Sequence, residues 1–269
     1  INFCDCFMAG GTSRRDHSEV GSSYIHFNFT PDGDKTTPAL FGDVPRGVML
    51  DRPPIFLGGQ GGAVGPLRVG YGTVVAAGSV LRDDILEDGQ LVVPAGPRGI
   101  RRSFARGNYP NLTHVVRNNV VYLANLVALE HWYENVRRPL FARQALGDLI
   151  YEGALEMIAL AKEERRKRLQ AMSGKVRDSA PGAVGLRRNV DRLCGLFDST
   201  RTVPTGDEFL SAFEQNAGDT PVGYVATIQG LPPAVRLLGV QWLTQIVDTL
   251  CSESDQVVET MDLFTSKHR

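Results

Sequence analysis

The chain has 269 residues, with an apolar fraction of 42%, a charged fraction of 22% and a formal net charge of −1. These totals are typical of a globular protein large enough for one or two hydrophobic cores, and the near-neutral charge gives no support for binding to nucleic acid. No segment approaches about 20 consecutive apolar residues and no secretory signal is recognised. We therefore predict a cytoplasmic protein that does not bind a membrane.

The cysteines and histidines follow no metal-ligand pattern. Cys4, Cys6, Cys194 and Cys251 match neither a zinc spacing nor a disulfide framework, so reduced thiols are expected. The five histidines are scattered, which argues against a metal enzyme whose histidines converge at a subunit interface. No metal is predicted. The chain starts at Ile1 rather than Met, as a fragment of a longer protein would.

A six-residue period marks the first part of the chain. Aliphatic residues, each followed by small or polar residues, recur at this spacing at Leu57, Ala63, Val69, Val75 and Leu81. Neither an amphipathic helix nor a strand has a period of six, whereas hexads fit the faces of a β-helix. We predict a hexapeptide-repeat β-helix over residues 1–107, with a Gly-rich irregular β domain as the alternative.

The hexad register breaks twice, from His26 to Lys35 and from Asp43 to Pro54. Insertions between hexads form loops that project from the coils, often on the binding face. Pro31-Asp32-Gly33 supplies the turn chemistry with which the first insertion can reverse direction. The first insertion is therefore predicted to be a projecting loop.

Helical patterns dominate residues 108–269, which we predict to be an all-helical domain. One helix ends near Pro139, and a second runs from about Leu140 to Met172. A capping-box pattern at Thr205–Glu208 predicts a further helix start, and a last helix follows Pro233. This part contains no nucleophile constellation, so its aromatic and aliphatic residues are interpreted as core.

A loop of the form Asn-aromatic-Asp-Gly-Lys lies between hexads, with Asn28-Phe29 followed by Asp32-Gly33-Asp34-Lys35. The hexads around it include Val20-Gly21, Phe41-Gly42-Asp43, Phe56-Leu57-Gly58, Ala63-Val64-Gly65 and Val75-Ala76-Ala77-Gly78-Ser79. Residues 3–90 thereby resemble the C-terminal left-handed β-helix domain of the bifunctional N-acetylglucosamine-1-phosphate uridylyltransferase/glucosamine-1-phosphate acetyltransferase family. The helical part has no counterpart in that resemblance.

The resemblance implies a left-handed coil, a homotrimer, and a site for acetyl-CoA and an amino-sugar phosphate between subunits. By the matching positions, Asn28 and Phe29 bind the sugar and Lys35 its phosphate, while Gly59 and Ala77 line the acetyl-CoA slot. A lysine supplies a point charge for a phosphate, and an Asn side chain can orient an amine by hydrogen bonds.

The family's general base is a histidine in the coil before this loop, and that position falls at Cys4-Asp5-Cys6-Phe7 in this chain. An amine that attacks a thioester loses a proton, so a base with a near-neutral pKa is needed. His17, on a neighbouring hexad, and His26, at the start of the loop, are the candidate catalytic residues.

Two functions stay open. The first is a hexapeptide-repeat transferase of sugar-nucleotide metabolism that acylates an amino-sugar phosphate, or a similar sugar phosphate, with acetyl-CoA as co-substrate. The alternative is a non-catalytic, trimerising or regulatory tail of a sugar-1-phosphate nucleotidyltransferase, UDP-N-acetylglucosamine pyrophosphorylase-like, whose catalytic domain precedes Ile1. The Gly-rich run Gly58-Gly59-Gln60-Gly61-Gly62 lacks a following lysine, so the chain has no nucleotidyl-transfer loop. The expected partners are a sugar phosphate or nucleotide sugar and further copies of the chain.

Overall fold

The computed structural model of the protein describes residues 2–3, 6–11, 15–20, 24–26, 37–94, 109, 111–198, 202–217 and 223–264. The strands are two or three residues long. In chain order they are β1 (Asn2–Phe3), β2 (Cys6–Met8), β3 (Glu19–Val20), β4 (Tyr24–His26), β5 (Ala39–Phe41), β6 (Phe56–Leu57), β7 (Gly62–Val64), β8 (Leu67–Val69), β9 (Val74–Val75), β10 (Val80–Leu81) and β11 (Leu91–Val92).

These strands form three small sheets. The first sheet has the order β1-β2-β5-β8, the second β10-β7-β4 and the third β11-β9-β6-β3. The pairings are parallel except for that of β1 with β2. Apolar side chains from all three sheets meet in one core, which includes Cys6, Met8, Ala39, Phe41, Leu57, Ala63, Leu67, Val69, Val75 and Leu81.

The predicted left-handed β-helix followed by an all-helical domain is wrong, and so is the resemblance that implied it. The described residues are mixed α/β, with three small sheets and helices packed against them, and they form no long β-helix. A helix, α1 (Val44–Gly47), lies among the strands. The unbroken hexads cover only Leu57 to Leu81, and the connection from β2 to β5 is too long for one regular coil. The five hexad residues are all buried, so their period marks the inward face of short strands.

The first sheet has two buried faces. The strands β2, β5 and β8 have three residues each, and the first and last residue of each strand point into the strand core. The central residues Phe7, Leu40 and Arg68 lie on the opposite face of the sheet. These three residues are neighbours in register. Phe7 and Leu40 belong to the core that the helices form, but Arg68 replaces the expected apolar side chain with a charge. The same sheet therefore stabilises the strand core and positions the helices.

The helical part is organised around one central helix. After α1 come α2 (Leu112–Trp132), a π-helical turn (Tyr133–Arg137), α3 (Arg138–Phe141), α4 (Gly147–Lys175), α5 (Ala183–Gly195), α6 (Asp207–Asn216), α7 (Tyr224–Gly230), α8 (Pro233–Val257) and a 3-10 turn (Glu259–Met261). Most residues of α2 are buried, and this helix packs against both α4 and α8. Burial on most sides of the helix is typical of such a central position, and the buried residues of α2 include polar ones such as Asn125 and Glu130.

The helix predictions have mixed outcomes. The last helix is confirmed, since α8 begins at Pro233, where a proline suits the first turn. The predicted Leu140–Met172 helix is wrong at its start, because Leu146 has a left-handed φ of 58° and α4 begins after it. The capping box is also wrong, since Gly206 is the N-cap of α6 and the Thr205 hydroxyl bonds to Asp207 instead.

The predicted domain boundary at residue 107 lies outside the described residues and stays a prediction. Within the described residues, Phe7, Leu40, Val44, Val48 and Met49 from the first part pack into the core formed by the helices. None of the described helices is both long enough and apolar enough to cross a membrane.

Candidate functional site

A cleft of about 770 Å³ opens between the strand region and the helices. We call it the main cleft. Its strand wall consists of Phe7 to Gly11, His17 and Ser18, with α1 beside them, and its helical wall comes from the end of α2, the π-helical turn, α4 and Tyr224. Its size falls in the range of about 300–1,000 Å³ that is usual for sites of small organic ligands.

The walls of the main cleft are largely apolar. The apolar lining residues include Phe7, Val48, Leu50, Leu129, Trp132, Met157, Ile158 and Leu160. Met157 and Leu160 are 64% and 54% exposed although they line the cleft, so they form part of its open rim. Such walls favour the burial of an apolar ligand body at roughly 25 cal/mol for each Å² removed from water.

The π-helical turn supplies the polar groups of the helical wall. It continues α2 without a break, and two of its residues, Tyr133 and Arg137, line the main cleft. π-Helical turns are rare and are frequently found at functional sites.

Arg137 lies in a cage of aromatic rings. Its guanidinium carbon is 3.7 Å from the centroid of the Tyr224 ring, 4.4 Å from that of Phe141 and 5.4 Å from that of Tyr133. Attraction between a guanidinium and an aromatic face holds the cation in place without neutralising it. The rings therefore fix the orientation of the guanidinium plane.

The charge of Arg137 has no carboxylate partner among the described residues, and its Nε is buried without a hydrogen-bond partner there. By contrast, Arg46 on α1 forms ion pairs with Asp43 and Asp88, each at 2.7 Å. A cation that is held by rings, with no carboxylate bound to it among the described residues, is suited to bind an anionic group in an apolar cleft.

Tyr224 completes the cage. Its hydroxyl accepts a hydrogen bond from Trp132 Nε1 at 3.1 Å. Burial raises the pKa of Tyr224 above its ordinary value, so the phenol stays neutral and keeps its proton. Since the hydroxyl oxygen already accepts from Trp132, its own hydrogen is available to donate.

On the strand wall, His17 is the titratable residue that lines the cleft beside Ser18. The side chain is exposed, and Nδ1 lies 2.9 Å from the backbone oxygen of Ser18. A carbonyl oxygen only accepts hydrogen bonds, so the proton of the neutral ring is on Nδ1 and the lone pair is on Nε2. Nε2 of His17 can therefore take a proton from a group bound in the cleft.

Ser18, which follows His17, is a structural residue. Its hydroxyl donates to the backbone oxygen of Ala9 at 2.5 Å and accepts from the backbone N–H of Ile55 at 2.8 Å. The side chain is buried, with 5% of its surface exposed. Both hydrogen-bonding roles of the hydroxyl are occupied, so Ser18 and His17 do not form a nucleophile and base pair.

The predicted site residues fall in different places. His17 lines the main cleft. His26 lies on β4, paired with Val64. Gly59 and Ala77 are brought together, since the Gly59 carbonyl accepts from the N–H of Gly78, but they line neither this cleft nor the second one described below. Asn28, Phe29 and Lys35 lie outside the described residues. The roles assigned to all seven residues stay predictions.

The sequence did not predict three residues of the site, Arg137, Tyr133 and Tyr224. The stretch from Trp132 to Arg137 has a helical pattern, and this pattern does not distinguish an α-helix from a π-helical turn. Tyr224 is 92 positions away from its partner Trp132, so only the fold reveals the cage. The one available signal was two aromatic residues and two arginines shortly before Pro139.

Among the described residues, no group of three or more His, Cys, Asp or Glu side chains is placed to hold a metal ion. Compared with known proteins, the chain matches no protein-family model, no curated protein and no solved structure.

Proposed function

We propose that the protein binds an organic anion with an apolar body in the main cleft, with Arg137 pairing to the anionic group. The observation that carries this proposal is the uncompensated guanidinium of Arg137, caged by aromatic rings at the wall of an apolar cleft. A fatty acid or an aromatic carboxylate has the required combination of one charged end and one apolar end.

The positive charge of Arg137 favours an anion over a neutral ligand. A bidentate pair between a guanidinium and a carboxylate or phosphate is among the strongest hydrogen-bonded contacts in proteins. The aromatic rings hold the guanidinium in one orientation, so little side-chain entropy is lost when the ligand binds. Asp43, the one acidic residue among those that line the cleft, already accepts hydrogen bonds from the side chain and the backbone N–H of Arg46. It therefore contributes little repulsion.

Titration with decanoate and with decanol tests this proposal. The two ligands share an apolar chain, but only decanoate is charged. We expect decanoate to bind at least about tenfold more tightly, since charge-assisted hydrogen bonds contribute roughly 1.5–3 kcal/mol. Equal affinities for the two ligands, or no binding of either, would overturn the proposal.

A second candidate is acyl transfer from acetyl-CoA to the amine of a sugar phosphate, and one observation favours it. His17 lines the same cleft as Arg137, and the contact of its Nδ1 with the Ser18 carbonyl leaves the lone pair of the neutral ring on Nε2. In the step, the amine nitrogen bonds to the thioester carbon while Nε2 takes the amine proton. The C–S bond then breaks, and the departing sulfur takes that proton to leave as a thiol.

Thiol release from acetyl-CoA in the presence of glucosamine-1-phosphate tests the second candidate. Turnover that is lost in His17→Gln but kept in His131→Gln, a histidine that does not line the cleft, would support it. Binding of decanoate without any turnover would leave the first candidate in place and exclude this one.

A further inference from the structure

A second cleft, of about 390 Å³, opens between the first sheet, α1, α2 and α8. Of its lining residues, only Asp43 also lines the main cleft. The walls of the second cleft include Leu40, Val69, Val121, Val240 and Val247. Arg68, the charged residue on the helix-facing side of β8, also lines it. This cleft therefore contains a cation at the contact between strands and helices.

Two guanidinium groups meet one carboxylate beside this cleft. Asp84 Oδ1 accepts from the backbone N–H of Arg68 at 2.9 Å and from Asn118 Nδ2 at 3.2 Å. Asp84 Oδ2 lies 3.4 Å from Arg68 Nη2 and 3.8 Å from Arg117 Nη2. We call Arg68, Asp84, Arg117, Asn118 and His114 the arginine cluster. Its two cations share a single anion.

His114 does not supply the missing negative charge. Its Nε2 lies 3.0 Å from the backbone oxygen of Pro66 and 3.3 Å from Asn118 Nδ2. Its Nδ1 lies 3.0 Å from Arg117 Nη2 and accepts from it. The imidazole of His114 therefore satisfies one donor of Arg117 and adds no anion to the cluster.

Several donors of the cluster stay unused within the described residues. The Nε atoms of Arg68 and Arg117 are buried and have no hydrogen-bond partner there, and Arg117 is only 9% exposed. Burial, followed by the nearby charge of Arg68, lowers the pKa of Arg117, as expected where positive charge is in excess. Asp248 on α8 is exposed and forms no ion pair with Arg68 among these residues.

Arg46 also lines the second cleft, but it differs from Arg68 in having two carboxylate partners of its own. Its guanidinium is bound by Asp43 and Asp88 and lies over the ring of Tyr71, 4.7 Å from the centroid. Arg46 is thus bound by two carboxylates, whereas Arg68 shares the single carboxylate of Asp84 with Arg117. Among the arginines that line the cleft, Arg68 is therefore the one whose charge is less compensated.

From these contacts we infer that the second cleft binds a small oxyanion, phosphate or the phosphate group of a small organic ester, at Arg68. Arg117 stands behind Arg68 and raises the local positive potential. The hydroxyl of Thr244, which lines the cleft from α8, offers a further donor, and the apolar residues accommodate the organic part of an ester. This site is separate from the main cleft and does not depend on the function proposed for it.

Inorganic phosphate is the probe for the test. Thermal unfolding of the full chain is followed with increasing phosphate, and with chloride at the same ionic strength. We expect phosphate to raise the melting temperature more than chloride does, because a ligand that binds only the folded state stabilises it. No difference between phosphate and chloride would overturn the inference.

Three variants locate the site. Arg68→Gln should weaken phosphate binding at least about tenfold, while Arg82→Gln, the same charge change at an exposed residue that does not line the cleft, should leave it unchanged. Asp84→Asn should tighten binding, since it removes the competing carboxylate. Equal weakening by Arg68→Gln and Arg82→Gln would show a non-specific charge effect and overturn the inference. If Arg68→Gln does not fold, Asp84→Asn decides: tighter binding supports the site, and weaker or unchanged binding contradicts it.

Comparison of phosphate with a phosphate monoester identifies the source of the oxyanion. Tighter binding of glycerol phosphate than of inorganic phosphate would support an ester whose organic part uses the apolar walls. Tighter binding of inorganic phosphate would support the free ion.

Discussion

The guanidinium of Arg137 lies 3.7 Å from the centroid of the Tyr224 ring, and no carboxylate of the described residues pairs with it. This relationship links the π-helical turn to α7 across the wall of the main cleft. The ring holds the cation in position, and the cation keeps its charge for a ligand. The proposed function depends on this unpaired charge.

An unpaired cation should contribute little to folding. We expect Arg137→Gln to change the free energy of unfolding by less than about 1 kcal/mol, because the lost ring contacts are offset by relief from partial burial of an unpaired charge. Arg46→Gln should be more destabilising, by about 1–2 kcal/mol, since it removes contacts to two carboxylates. Urea unfolding of both variants measures the difference. A larger loss for Arg137→Gln than for Arg46→Gln would show that Arg137 is a structural residue.

Filling the main cleft should block binding without disrupting the fold. Ala154 lines the cleft from α4, and Ala154→Trp should weaken decanoate binding at least about tenfold by occupying its space. Ala159→Trp, on an exposed position of the same helix that does not line the cleft, is the matched control. Titration calorimetry compares the two variants. Similar decanoate affinities for both would place the ligand elsewhere.

A side chain at Gly42 should lower the free energy of unfolding. Gly42 and Gly78 have similar left-handed φ values of 80° and 75°, so an alanine at either costs about 1–2 kcal/mol of backbone strain. A Cβ at Gly42 would also lie 2.6 Å from the ring of Tyr71, whereas a Cβ at Gly78 meets nothing within 4 Å. The Tyr71 ring cannot move aside easily, because its hydroxyl donates to the carbonyl of Asp43 and accepts from the N–H of that residue.

We therefore expect Gly42→Ala to lower the free energy of unfolding by about 1–3 kcal/mol more than Gly78→Ala does. Urea unfolding of the two variants gives this difference directly. Equal losses would mean that the packing around Tyr71 relaxes without cost.

Stability should fall at alkaline pH because of two buried thiols. Burial raises the pKa of Cys194 and of Cys251 from 9.0 to about 12. Between these values the unfolded chain releases the thiol protons while the folded protein keeps them, so the free energy of unfolding decreases as pH rises. At pH 10.5 the loss is up to about 2 kcal/mol for each thiol.

Replacement of both cysteines by alanine isolates this effect from that of other alkaline groups. The variant should lose less stability than the wild type between pH 8 and pH 10.5 in urea unfolding. Parallel losses in the two proteins would contradict the contribution of the thiols.

The sequence predicted local features better than their assembly. Leu57 and Val75 were correctly placed on a buried face, because a short-range period reports which side of the chain is apolar. The start of α8 at Pro233 was also predictable from local chemistry. The prediction of a long β-helix was wrong, because a period of six within one segment does not determine how the chain folds in the insertions that precede it.

The helical wall of the main cleft could not be predicted for a related reason. Arg137 lies in a segment with a helical pattern, and its cage includes Tyr224, which is distant in sequence. His17 was identified as a candidate because it is a titratable residue near the predicted loop, and the fold places it in the main cleft. Nothing local in the sequence indicates that His17 and Arg137 line the same space.

The claim that Arg137 binds the anionic group is tested most directly by changing the charge of the ligand and the charge of residue 137 together. The affinities of decanoate and decanol are measured by titration calorimetry for the wild type, Arg137→Gln and Arg138→Gln, where Arg138 is the adjacent exposed arginine that does not line the cleft. We predict that the preference for decanoate, at least about tenfold in the wild type, disappears in Arg137→Gln and persists in Arg138→Gln. An unchanged preference in Arg137→Gln would contradict the claim that Arg137 binds the anionic group.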